Sequence, residues 1–124
     1  RLNAAEQQLN MSGSDIAFIK TIDEFIHDNI MNNELNANIL ADKMCISVTT
    51  LNRRIKATAG TNTTNYIRLK RLGRAKQLLS NTNMAMGEIQ AVCGFDSPSY
   101  FSRAFKAEYG MSPSEFRKGR ESNS

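Results

Sequence analysis

The chain is poor in the residues from which metal sites and disulfide frameworks are built. Its 124 residues include two cysteines, Cys45 and Cys93, and one histidine, His27. A structural zinc needs four clustered ligands, and the cysteines form no Cys-x-x-Cys pair, so no metal is expected. Long apolar runs are missing as well. No stretch of 18 apolar residues is present to span a membrane, and no charged-then-apolar signal opens the chain. The expected location is therefore the cytoplasm, where the two cysteines would be reduced, partly buried thiols. A glycine-rich phosphate loop, a nucleophile beside a base and a coherent pair of carboxylates are also absent, so neither an enzyme nor a cofactor is expected.

The most telling absence is of acidic residues. Between Asp42 and Glu88 there is none, while Lys43, Arg53, Arg54, Lys56, Arg68, Lys70, Arg71, Arg74 and Lys76 fall in that stretch. The net charge of +4 hides the asymmetry: residues 1–50 carry three basic against seven acidic side chains, and residues 51–124 thirteen against five. A single-sign run across two expected helices points to a polyanionic partner.

What the chain has is a repeat. At an offset of 50 residues and without a gap, Ala41 matches Ala91, Ser47 matches Ser97, and Leu51 matches Phe101. Arg53 then matches Arg103, Lys56-Ala57 matches Lys106-Ala107, Gly60 matches Gly110, and Tyr66 matches Phe116. Each unit reads as helix, tight turn, basic helix and glycine stop, which is the form of a helix-turn-helix.

Local signals place the elements. Ile16, Ile19, Ile22, Ile26 and Ile30, with Phe18 and Phe25 nearby, give an amphipathic helix from about Asp15, with His27 and Asp28 on the surface. Asn36 caps a second helix, and Met44-Cys45-Ile46 forms the turn. Ser47 caps a third helix that ends at Gly60. A long helix runs from Thr63 or Thr64 to Leu79, with Arg71 inside its apolar arc and therefore in a hydrogen-bonded structural role. In the second unit Gly94 sits at the turn and Ser97 caps a helix with Pro98 at its first position. Ser112-Pro113-Ser114-Glu115 is a capping box that opens a last short helix. The expected organisation is a linker at 1–14, a first helix-turn-helix at 15–62, a linking helix at 63–80, a second helix-turn-helix at 81–118 and a disordered tail at 119–124.

The major groove admits one helix and displays distinct base-edge patterns. A helix that reads it needs one apolar face and one face of short or forked polar side chains, which both basic helices have. Arg53 and Arg103 can each offer a fork to guanine, worth roughly 1–3 kcal/mol of discrimination. Asn52 can pair with adenine, and Thr49 and Ser99 can meet a thymine methyl, a base edge or phosphate. Ser47, Lys56, Lys70, Arg74, Ser97, Ser102 and Lys106 are the expected phosphate contacts, with the helix N-termini assisting. A linking helix of roughly 25 Å suits two helices in successive major-groove segments about 34–36 Å apart. Alternatives remain at this point. Arg53 and Arg103 could pair with acids of the first helix, and a basic helical bundle could bind a protein instead. Single-stranded RNA fits less well, because the outward faces lack stacking aromatics.

Several segments, agreeing in order and spacing, resemble the AraC/XylS family of bacterial transcription regulators. SPSYFSRAFKAEYGMSPSEFRK (97–118) looks like the family signature around its second helix-turn-helix; ILADKMCIS (39–47), LNRRIKATAG (51–60) and NYIRLKRLGRAKQLL (65–79) resemble the first unit and linking helix. The resemblance covers about Phe18 to Lys118. It implies an all-α, seven-helix domain with two helix-turn-helix subdomains joined by a long linking helix. It also implies sequence-specific binding of double-stranded DNA as the output domain of an activator, with Thr49, Asn52, Arg53, Ser99 and Arg103 facing bases. RNA polymerase, and an upstream sensor, receiver or dimerisation domain as in two-component regulators, are the implied partners. Departures from the family pattern are Cys45, where glycine or another turn-tolerant residue is common, Ile55 for phenylalanine, Gln90 for alanine and Cys93 for valine.

Overall fold

A computed structural model describes residues 13–122, which form seven helices and, among the described residues, no strand. The helices are α1 (Gly13–Asp28), α2 (Ala37–Lys43), α3 (Val48–Ala59), α4 (Thr63–Asn81), α5 (Met86–Val92), α6 (Pro98–Tyr109) and α7 (Pro113–Ser122). Most of the expected 1–14 linker lies outside the described residues, though Gly13 and Ser14 already belong to α1. The chain divides into two compact units. One contains the described residues through Asn29 together with Leu35–Arg68, and the other contains Ile30–Glu34 and the described residues from Leu69 onward. The expected separate linking helix is thus shared: α4 gives its start to the first unit and its remainder to the second.

The first unit closes on Phe18, Ile22, Ile26, Leu35, Leu40, Ala41, Leu51, Ile55, Tyr66 and Ile67. The α1 stripe differs in detail from the isoleucine series in the sequence. Phe18, Ile22 and Ile26 are buried while Ile16 is 43% exposed. At 100° per residue Ile16 falls about 120° from the centre of that arc. Ile30 lies past the end of α1. Tyr66 sends its hydroxyl to Asp23 Oδ1 at 2.5 Å, so the buried phenol is satisfied. Burial, then the Asp23 hydrogen bond and charge, push its pKa up.

Aromatic residues fill the second unit where the first uses aliphatic ones. Phe95, Phe101, Phe105, Tyr109 and Phe116 form a chain of ring contacts with centroids 4.7–6.0 Å apart. Arg71, 6% exposed, is a buried charge in this unit. Its guanidinium donates to the carbonyls of Ile30, Cys93 (2.9 Å) and Asn32 (2.9 Å), the structural role expected for it. Burial lowers its pKa, and the charge of Asp96 is among those that oppose the shift. The fork thereby fixes segment 30–34 and the turn after α5 together.

Helix α7 runs beyond Lys118, correcting the expected disordered tail at 119–124 for residues 119–122. Arg120 donates to the carbonyls of Leu79 (2.8 Å) and Thr82 (2.7 Å), and Arg117 to those of Met84 (2.5 Å) and Thr82 (3.2 Å). Carbonyls around the end of α4 need donors, and these two arginines supply them.

Candidate nucleic-acid interface

Each unit holds its basic helix behind the same turn. After α2, Cys45 N–H donates to Asp42 O and Ile46 N–H to Ala41 O, both at 3.1 Å. After α5, Gly94 N–H donates to Ala91 O and Phe95 N–H to Gln90 O, both at 3.0 Å. These are the paired hydrogen bonds of a Schellman closure, which requires a left-handed residue at the turn. Gly94 fills that position with φ +80°, and Cys45 fills it with φ +60°.

This closure corrects the gapless repeat. Ile46 corresponds to Phe95 and Ala41 to Gln90, an offset of 49, whereas the capping serines Ser47 and Ser97 stand 50 apart. Asp96 is the extra residue. Ala41 is buried and Ala91 exposed, so their match in the sequence is not a structural one. At the position of Ala41, Gln90 uses its amide to hold Phe95 O at 2.5 Å.

Both serines cap as expected. Ser47 Oγ accepts from Thr50 N–H and Ser97 Oγ from Tyr100 N–H, each at 3.1 Å. Gly60 and Gly110 end α3 and α6 in the left-handed conformation, with φ of 76° and 80°. Leu51 and Ile55 hold α3 to its unit, and Phe101, Ala104 and Phe105 hold α6. Opposite these faces, Thr49, Arg53 and Lys56 are exposed at spacing i, i+4, i+7, and Ser99, Arg103 and Lys106 repeat that stripe.

The remaining expected contacts divide. Ser102, Ser47 and Arg74 are exposed, while Ser97 and Lys70 are half-buried. Asn52 is half-buried, and its Oδ1 accepts the Thr63 N–H at 3.0 Å. The arginine that pairs with the first helix is neither of the two reading candidates. It is Arg54, with its guanidinium 3.7 Å from the Phe18 ring centroid and 3.6 Å from Asp15. Lys76 is likewise engaged, over the rings of Tyr109 and Phe116. The basic run is therefore a mixture: Arg54, Arg71 and Lys76 serve the fold, and Arg53, Lys56 and Arg74 face outward.

Exposed Tyr100, absent from the sequence-based set, stands beside Ser99 at the start of α6, with its ring edge-on to Phe95 at 5.7 Å. Its period alone could not separate it from a core aromatic. Among the described residues, no group of three or more His, Cys, Asp or Glu side chains is placed to hold a metal ion, and no helix is long and apolar enough to cross a membrane.

Comparison with known proteins gives a consistent picture. A family model described as a helix-turn-helix domain matches residues 40–119. The HTH-type transcriptional activator RhaS of Escherichia coli is 33% identical over 88 residues, which cover 71% of this chain and 32% of RhaS. The chain thus matches about a third of the length of that relative. The C-terminal domain of the two-component response regulator yesN from Fusobacterium nucleatum superposes with a TM-score of 0.74 at 27% identity, covering 82% of this chain and 98% of that one. A transcriptional regulator from Chromobacterium violaceum, described among AraC-type DNA-binding domain-containing proteins, gives 0.77 at 28% identity, covering 88% and 96%.

Proposed function

The chain belongs to the AraC-type helix-turn-helix family, and we propose that it binds double-stranded DNA sequence-specifically as the output domain of a bacterial transcription activator. It is a DNA-binding domain, not an enzyme. The observation that carries the reading is the duplicated stripe: Thr49, Arg53 and Lys56 on α3, and Ser99, Arg103 and Lys106 on α6, each behind a capped, Schellman-closed turn. Arg53 and Arg103 read base edges, Thr49 and Ser99 assist them, and Ser47, Lys56, Lys70, Arg74, Ser97, Ser102 and Lys106 meet phosphates. The two helices enter successive major-groove segments.

RNA polymerase is the partner through which activation acts. Likeness to the response-regulator domain supports an upstream receiver or sensor in the full-length protein, working in the cytoplasm.

Titration of labelled duplexes by fluorescence anisotropy tests the proposal. Affinity should fall linearly in log–log with salt, by about 0.9 per phosphate neutralised, while one sequence stays preferred over bulk DNA at fixed salt. Binding without sequence preference would favour a helical bundle that partners a protein.

A further inference from the structure

The two reading helices differ at one equivalent position, and the difference originates in the helix that follows each. Asn52 on α3 corresponds to Ser102 on α6, and Thr63, the first residue of α4, to Pro113, the first residue of α7. The first N–H groups of a helix have no partner inside it. Thr63 is 0% exposed, so water cannot serve its N–H, and Asn52 Oδ1 does so at 3.0 Å. Asn62 takes the Asn65 N–H at 2.8 Å, completing the cap. In the second unit Pro113 is also buried but has no N–H to satisfy. Ser102 is left exposed.

We propose that Asn52 is a positioning residue that fixes α3 against the start of α4 and does not read a base, whereas Ser102 stays available to DNA. The inference rests on the reading of α3 as a recognition helix. Pairing with adenine needs an asparagine to offer both its oxygen and its NH2 group. The Thr63 N–H holds the amide with its oxygen turned towards the start of α4, so the oxygen and the NH2 group do not face a base edge together. The first half of the DNA site is therefore read by Thr49 and Arg53, with no preference contributed by Asn52.

A melting cycle combined with quantitative selection from a random duplex library tests this on the 124-residue chain. Asn52→Ala should lower Tm by roughly 3–6 °C, the loss of one part-buried hydrogen bond. It should weaken all sequences by the same factor and leave the base preferences unchanged. Asn52→Asp, which keeps the acceptor but cannot donate to a base, should hold the wild-type Tm. Thr63→Pro removes the donor, following the precedent of Ser112-Pro113, and in that background Asn52→Ala should cost no further Tm. Flattening of the preference at a single base pair by Asn52→Ala, with Tm unchanged, would overturn the proposal. If Thr63→Pro does not fold, the Asn52→Ala and Asn52→Asp pair decides alone. Failure of the wild-type chain to enrich any sequence would overturn both the DNA reading and the claim about the half-site, while the Tm cycle would still decide whether Asn52 serves Thr63.

Discussion

Gly94 lies so close to the Arg71 guanidinium that a Cβ there would fall 1.6 Å from Nη1 and 2.2 Å from the Ile30 carbonyl. The glycine is needed twice, for its φ of +80° and for the space the arginine fork occupies. Gly94→Ala should therefore displace Arg71 from the Cys93 and Ile30 carbonyls and cost about 3 kcal/mol or more. Gly110 has the same φ of +80° with nothing within 4 Å of an added Cβ. Gly110→Ala should cost only the left-handed penalty of about 1–2 kcal/mol. Urea unfolding of the two variants measures the contrast, and equal losses would deny Gly94 its packing role.

Cys45 holds the equivalent turn with a side chain that disfavours its φ of +60°. Cys45→Gly should stabilise the chain by about 1 kcal/mol, raising Tm by about 4 °C. A lower Tm would mean that the thiol makes a compensating contact.

The two thiols should also separate chemically. Cys45 is exposed and Cys93 buried. Burial pushes the Cys93 thiol up to about 11, against the opposing charges of Arg74 and Arg71. Dithionitrobenzoate at pH 8 should titrate one thiol in the native chain and both in denaturant. Because the folded state holds the Cys93 proton more tightly, its contribution to stability is present below about pH 8.5 and is lost as pH rises towards about 11.

At the other end of the scale, Glu115 should make α7 acid-sensitive. Hydrogen bonds from the Ser112 backbone and side chain hold its carboxyl below the usual range. Ser112 N–H donates to Oε1 at 2.9 Å, and Ser112 Oγ accepts from Glu115 N–H at 3.2 Å. For a depressed carboxyl the stability is present above about pH 4.3 and is lost as pH falls through the folded value. Glu115→Gln should remove part of the slope of unfolding midpoint against pH below that point. An unchanged slope would show the capping box to be energetically silent.

The caps and stops were legible in the sequence because they act within a few residues. Asn36, Ser47, Gly60, Ser97-Pro98, Gly110 and the Ser112/Glu115 box all occupy the positions their chemistry indicates. What escaped depends on distant partners. Arg71 could be read as structural, but its three carbonyls lie 22 to 41 residues away. Arg53 and Arg54 are adjacent and chemically identical, and only the position of Phe18 and Asp15 separates the outward arginine from the stacked one. The offset of 49 before the turn was hidden by the chance identity of Ala41 and Ala91. Asn52 has a side chain suited to adenine and also to a helix N-terminus, and Thr63 decides between them. Arg120 falls in the stretch expected to be a disordered tail, and its partners, the carbonyls of Leu79 and Thr82, lie 38 to 41 residues away.

Neighbouring arginines should behave differently in DNA binding. Arg54→Ala should lower Tm through lost packing on Phe18 and leave base preference intact, because that pair lies on the far side of the reading stripe. Arg53→Ala and Arg103→Ala should leave Tm nearly unchanged, each costing about 1–3 kcal/mol on the preferred duplex. Lys56→Ala and Lys106→Ala should weaken all duplexes alike and reduce the salt slope by about 0.9 each. Anisotropy at several salt concentrations separates the three classes.

The duplicated stripe requires that both basic helices read bases. Its most direct test is selection of bound duplexes from a random library by the 124-residue chain, repeated with Arg53→Ala and with Arg103→Ala. The expected result is a two-part motif with halves about one helical turn apart, one half relaxed by each variant. A motif left intact by both substitutions would contradict it.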